Sequence, residues 1–465
     1  MRARALAWAI VLVAACDEGF YVDPDFCNRW PDHASCPGPA GSSGASGGGG
    51  GGSAGASGDA GAGGSAGLGG GGTGGAGGLV CQGPKVDCGG ACVDLKADDA
   101  TNCGACGRSC LGAATCSAGA CVPEALATNE VAPYALADDG THLYWVSPAI
   151  KEGAFIPRMR RVAKASAGGA AENVFSSVIV RARSLAFADG KLFWGDLGAS
   201  PTDTNQRVAS GLVGSADATT VEAAQLNVQH VAVAGGKVYW TVANSSAVRG
   251  KNADGTGTVS PNVGLQDSIG WLAVDGEARP YWLAGVPREV RRLATAPANT
   301  GETVADSASG LAVELAGDRL YWADAGAVRS APKSMPAMVR QEVEGLGTIE
   351  GFAVVAAGEG GAAGGGGAGG SAGPGGGAGE ATLYVLTAQG RQLKAWRKGP
   401  DDAEPLLLGE VTAKADPYEG NPFGAAYVRV DAQYVYFADV GTVAGFNPDA
   451  VQLSNGDGVV YRVAK

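Results

Sequence analysis

The chain has 465 residues, 79 of them glycine, with 46 acidic against 34 basic side chains and a formal net charge of −12. That balance excludes the basic footprint of a nucleic-acid binder and a polybasic membrane patch. Its three histidines, His33, His142 and His230, are scattered with no pair at metal-ligand spacing, which argues against histidine acid–base chemistry and leaves carboxylates for any such role.

Residues 1–15 read as an export signal. Arg2 and Arg4 form a basic start, and Leu6 to Val13 form an apolar stretch, too short for a bilayer span of about 20 residues. The stretch ends Leu12-Val13-Ala14-Ala15-Cys16, which resembles the lipobox of bacterial lipoproteins. The resemblance implies cleavage before Cys16, which then carries diacylglycerol and an N-acyl chain. The other reading is an ordinary signal peptide cut at Ala15, with Cys16 in a disulfide. Acyl chains, at about 0.8 kcal/mol per buried CH₂, would anchor the protein in the cell envelope without a transmembrane helix. A membrane is therefore one expected partner, through the Cys16 anchor.

The chain has eleven cysteines. With Cys16 acylated ten remain, an even count that suits an oxidising compartment. In the mature N-terminus, 16–37, Cys27 and Cys36 flank a short aromatic segment and are expected to pair. Residues 38–80 are almost entirely Gly, Ala and Ser. They lack the apolar content to offset ordering entropy and read as a flexible tether with a mean span on the order of 35 Å. A fibrous glycine repeat is the alternative, but no strict three-residue period occurs.

Residues 81–121 hold Cys81, Cys88, Cys92, Cys103, Cys106, Cys110, Cys116 and Cys121. Apolar content is too small for a core, so disulfides must hold this segment, each contributing about 2–4 kcal/mol. Eight cysteines admit on the order of a hundred pairings, and spacing does not choose among them. Cys88-x3-Cys92 and Cys103-x2-Cys106 also have zinc-like spacing, but an exported setting favours disulfides. The pattern Cys88-Gly89-Gly90-Ala91-Cys92-Val93-Asp94 with Asn102-Cys103-Gly104-Ala105-Cys106-Gly107 resembles a small Cys-rich module of surface lipoproteins from Gram-negative bacteria. The resemblance implies location and domain style, not activity.

From residue 122 onward short apolar runs alternate with Gly, Asp and Asn turns, in seven related units. Their second runs end Tyr144-Trp145, Phe193-Trp194, Tyr239-Trp240, Tyr281-Trp282, Tyr321-Trp322, Tyr384-Val385 and Tyr436-Phe437. Each is preceded by a small-apolar run, such as Val231-Ala232-Val233-Ala234 or Tyr427-Val428-Arg429-Val430, and followed by a run with a basic residue. Arg-Val-Ala-Lys occurs in the first unit (Arg161–Lys164) and the last (Arg462–Lys465).

Repeats of about 40–45 residues with several short strands predict an all-β fold: one β-propeller over 122–465, of seven four-stranded blades. The last unit stops after its third strand. Pro123 to Val131 precede the first unit and are expected to supply the missing fourth strand, closing the ring. An open twisted sheet or a β-sandwich is the alternative. The sixth unit carries a glycine-rich insert, 356–379, expected to be disordered. Phe193-Trp194-Gly195-Asp196, Tyr321-Trp322-Ala323-Asp324 and Tyr436-Phe437-Ala438-Asp439 resemble the Tyr-Trp-Thr-Asp class of propeller repeats. That class is usually six-bladed and serves in extracellular binding, which implies a binding role here.

Propellers host enzymes and binders alike. Asp139-Gly140, Asp189-Gly190, Asp254-Gly255 and Asp275-Gly276 read as hairpin turns. Asp196, Asp324 and Asp439 read as register residues bonded to backbone, and the third-run Arg and Lys as solvent-facing guards of outer strands. No catalytic, cofactor-binding or metal-binding residue is expected. The function expected is non-enzymatic display of a propeller for an envelope protein or polysaccharide, as a monomer. A hydrolase or lyase using carboxylates, with or without Ca²⁺, in the central funnel is the alternative.

Overall fold

The computed structural model describes residues 79–465 apart from 148–149, 152–153, 156–157, 167, 176–180, 199–202, 244–246, 265–269, 286–288, 295–299, 306–311, 325, 335–337, 357–380, 390, 401, 403, 414–427 and 443–455. The export signal, Cys16, Cys27, Cys36, residues 38–78 of the tether and nearly all of the 356–379 insert lie outside the described residues.

Among the described residues every regular element is a strand, and seven sheets have four strands each. The innermost strands are Tyr134–Asp138, Leu185–Ala188, Val228–Ala234, Leu272–Val274, Val313–Ala316, Thr348–Val355 and Arg429–Val430. Each touches the next, and the last touches the first, so the sheets form a closed ring of seven blades. A one-residue slip in any blade would turn its apolar set outward, so the hairpins matter. In blade 3, Ala234 pairs with Lys237 across Gly235 and Gly236. Both glycines have positive φ, 57° and 72°, the geometry a two-residue hairpin needs. Asp189 and Gly190 do the same in blade 2, at 50° and 74°.

The second strands fill the space between blades. Trp145, Trp194, Trp240, Trp282 and Trp322 are the largest fully buried side chains. Blades diverge away from the axis, so the widest residues belong where most volume must be filled. The tyrosines join blades or brace their own hairpins. Tyr239 donates to the Ala278 carbonyl of blade 4 at 2.6 Å, and Tyr144 stacks on Phe187 of blade 2 at 6.0 Å. In blades 1, 4 and 7 the tyrosine hydroxyl donates to the aspartate of its own first hairpin: Tyr144 to Asp139, Tyr281 to Asp275 and Tyr436 to Asp431.

Blade 7 consists of Arg429–Val430, Tyr434–Asp439, Gly458–Ala464 and, from the other end of the chain, Glu124–Glu130. The closing strand pairs antiparallel to Gly458–Ala464. Arg462 donates to Glu124 at 2.8 Å and to the Lys164 carbonyl at 2.5 Å. Lys164 is buried between Asp138 at 2.9 Å and Asp431 at 3.4 Å. The two Arg-Val-Ala-Lys copies thus share a job. Lys164 lies over the Tyr436 ring of the preceding blade, and Lys465 lies over Tyr384 of the blade before it, at 4.8 and 4.9 Å.

The cysteine module is knitted by Cys81–Cys92, Cys88–Cys106, Cys103–Cys116 and Cys110–Cys121. The members of each zinc-like pair belong to different disulfides. The inner two cystines share an apolar cluster with Leu408, Val463 and Ala464 of blades 6 and 7. Arg108 fixes the junction. Its guanidinium donates to the carbonyls of Leu408 at 2.7 Å, Ala464 at 3.1 Å and Leu407 at 3.3 Å. Burial, with the charge of Arg397 beside it, lowers its pKa to about 10. At Gly409 a side chain would meet the Cys121 carbonyl oxygen at 2.6 Å, so the backbones meet where only glycine fits.

Two outcomes test this closure. Deleting residues 122–131 should lower the thermal midpoint sharply, and Leu126→Ala, which empties a fully buried site, should cost about 2–5 kcal/mol in denaturant unfolding. Arg108→Ala leaves four carbonyls, those of Cys103, Leu407, Leu408 and Ala464, without this donor and should destabilise by about 3 kcal/mol; an unchanged midpoint would mean that the module and the ring are not energetically joined.

Candidate functional site

All seven innermost strands run the same way along the axis, because each blade repeats the same order. Residues at matching register therefore lie at matching heights around the channel. The residue paired with the second-strand Tyr or Phe is Ala137, Ala186, Ala232, Ala273 and Ala353 in blades 1, 2, 3, 4 and 6. Strands converge toward the axis, so small side chains suit most of these positions. In blade 5 the same position is Glu314, paired with Tyr321, and in blade 7 it is Arg429, paired with Tyr436.

Both side chains are buried, Glu314 at 7% and Arg429 at 9% exposure. Burial raises the Glu314 carboxyl to about 7, opposed by the Arg429 charge. Burial also drops His230 to about 3, and the Arg429 charge lowers it further. His230 sits two residues before Ala232, on the same face of its strand by the two-residue period. Its ring lies 4.4 Å from that of Trp271, which precedes the innermost strand of blade 4. His230, Glu314 and Arg429 belong to blades 3, 5 and 7, no two of them adjacent. The Arg429 charge reaches both His230 and Glu314. Arg183 precedes the innermost strand Leu185–Ala188 and Glu350 lies within Thr348–Val355, and both are buried. Glu350 occupies a β-bulge between Ile349 and Gly351, a device that re-aims a side chain. The axis therefore carries a mixed charge group in a ring otherwise lined by small residues. Carboxylates in the funnel are among the sequence expectations, but no local motif marks Glu314, Arg429 or Trp271. Aligning innermost strands by register was the signal that could have found them.

Other expected roles resolve as follows. Asp196 accepts from Gly198 N at 3.1 Å and from Arg207 at 3.1 Å, and Asp439 accepts from Gly441 N at 2.9 Å. Both serve backbone turns, as expected. Burial raises the Asp196 carboxyl, opposed by the Gly198 and Arg207 hydrogen bonds. Burial also works to raise Asp139, but hydrogen bonds from Tyr144, His142 and Thr141 win and bring it down to about 2. The third-strand basic residues are not simple solvent guards. Arg160 clasps Glu130 through two bonds, at 3.2 and 3.1 Å, and Trp145 donates to the same carboxylate at 3.1 Å. Arg249 and Trp240 share Gln225 in the same way, at 2.7 and 3.0 Å. A buried indole N–H needs an acceptor, and the arginine holds that acceptor in place. Each pair brings together residues 24 or 30 positions apart in the chain, a match no local motif exposes.

Among the described residues one group of three side chains has metal-ligand separation, Cys103, Cys110 and Cys121, and all three are in disulfides. No described helix is long and apolar enough to cross a membrane.

No protein-family model matches the chain, and no curated protein matches it. Among solved structures, a chain of a nidogen/laminin complex is similar at 15% identity and TM-score 0.36, over 60% of this chain and 97% of that one. A streptogramin B lyase is similar at 9% identity and TM-score 0.49, over 74% and 97%. A catalytically inactive virginiamycin B lyase from Staphylococcus aureus with quinupristin gives 9%, 0.45, 72% and 96%. The count of seven blades rests on this chain's own strand order.

The axial pair has a pH signature. Burial holds the folded pKa of His230 below the ordinary 6.5 of an imidazole, so its contribution to stability is whole above pH 6.5 and is lost as pH falls toward 3. Glu314 is raised from 4.5 to about 7, so its contribution is whole below pH 4.5 and is lost as pH rises through 7. Between these unfolded values the slopes oppose. In His230→Ala only the Glu314 slope remains, and stability should fall by up to about 1.4 kcal/mol per unit as pH rises through that window. Denaturant titrations at several pH values read this directly.

Proposed function

We propose that the chain is an exported lipoprotein, anchored in the bacterial cell envelope through acyl chains on Cys16, that displays its propeller for binding an envelope protein or polysaccharide. The lipobox-like Leu12-Val13-Ala14-Ala15-Cys16 and the glycine-rich tether support the anchoring. The four disulfides are in keeping with an oxidising compartment. The observation that carries the binding role is the axial group: Glu314 and Arg429 stand where five blades carry alanine, with His230 and Trp271 beside them. A ring needs only the alanines to close. Charged and aromatic side chains at the channel are what a recognition site needs, a largely apolar wall with a few placed polar groups.

One observation favours the enzymatic alternative. A Glu314 carboxyl near 7 has the acidity that a general acid or base uses at neutral pH. Incubation with envelope polysaccharides and chromatography of the products separates the two. Shortened chains would favour the hydrolase or lyase; intact polymer retained on the protein would favour binding.

The anchoring is read by mass spectrometry of the N-terminal peptide. Cys16 should carry acyl chains, and Cys16→Ser should move the protein from the membrane to the soluble fraction. An unmodified Cys16 in a disulfide would sink the lipoprotein reading while leaving the axial site untouched.

A further inference from the structure

Glu314 is the most informative residue on the axis. It is buried at 7% exposure, yet among the described residues no hydrogen bond or ion pair reaches it; its interaction with Arg429 is through charge alone. A carboxyl desolvated to this depth is costly to ionise. The ring has no architectural use for it, since alanine takes the same register position in blades 1, 2, 3, 4 and 6. Such a group awaits a donor from outside the chain.

The surroundings say which kind of donor. At the channel the buried ionisable groups are of both signs, Glu314 and Arg429. A lone inorganic cation would meet the arginine, and a lone anion the carboxyl. An apolar ligand would leave Glu314 as it is. A hydroxyl both donates and accepts, so a polyhydroxylated ring can satisfy carboxyl and guanidinium together. The Trp271–His230 pair, 4.4 Å between rings, adds an aromatic surface for the apolar face of such a ring. Resting on the display reading above, we propose that the axial channel takes a saccharide ring, with Glu314 accepting hydrogen bonds from its hydroxyls, Arg429 donating to them, and the Trp271–His230 pair meeting its C–H face.

The test uses the full chain in detergent, applied to an array of neutral and uronate-bearing oligosaccharides and, in parallel, to a tiled peptide array. Glu314→Ala installs in blade 5 the residue of five other blades and, by removing a desolvated carboxyl, should hold or raise the melting temperature. Glu314→Gln, which preserves volume, is measured beside it as the control for folding. The expected result is saccharide binding that weakens about tenfold or more in Glu314→Ala. No saccharide bound, or saccharides bound equally by both variants and the parent, would overturn the assignment. If peptides are captured in that case, display for protein binding survives and the axial saccharide site does not. If neither array is bound, the display reading falls with it.

Discussion

The structure depends on one non-covalent pairing, that of Glu124–Glu130 with Gly458–Ala464. A propeller is a curved row of sheets, and its two open edges are stable only when they meet. Here the meeting joins residues 338 positions apart, as in Arg462 on Glu124. Bringing such distant segments together carries a loop-closure cost that grows slowly with length, and the chain offsets it with redundant bonding. Arg462 also holds the Lys164 carbonyl, and Lys164 in turn holds aspartates of blades 1 and 7. The cysteine module belongs to the same device. Cys121 lies two residues before Pro123, and the Cys110–Cys121 cystine and Arg108 fix that approach against blades 6 and 7. Far from being a separate bead, the module aims the closing strand.

Once closed, the ring imposes crowding at its axis and spaciousness at its periphery. The two conditions sort the side chains: alanine on most innermost strands, tryptophan and tyrosine on the second, and arginine on the third, where in blades 1 and 3 it steadies the acceptor of a buried indole. Glu314 and Arg429 break the first of these rules and Trp271 accompanies them. Residues that obey the rule explain the fold; ring geometry does not call for those that break it.

Much of this was written plainly in the sequence, for a physical reason. Seven aromatic pairs at repeat spacing, small residues before them and the missing fourth strand are consequences of ring geometry, and geometry repeats. The disulfide pairing was not legible, because loop lengths of 11 to 18 residues are all compatible with cystine bridges. Arg108 was not legible either. Its partners are backbone carbonyls about 300 and 356 positions away, and a carbonyl leaves no mark on the sequence. The third-strand arginines were misread as solvent-facing because a basic residue on an outer strand ordinarily is. Glu130 and Gln225 lie in the strand or turn before their blade's innermost strand, outside the repeat phrase that draws the eye. Arg429 stood within a quoted repeat strand and was passed over, since a single charged residue in an alternating run looks like its exposed phase.

The site and the closure are also one thermodynamic system. Arg429 belongs to the innermost strand of blade 7, which is only two residues long, Arg429–Val430. It is this residue whose charge acts on both His230 and Glu314. Blade 7 is also the blade completed from the N-terminal end of the propeller. Groups held buried in the channel at a cost of several kcal/mol each require a frame that does not yield, and the redundant bonding at the seam of blades 7 and 1 supplies it where the chain could most easily open.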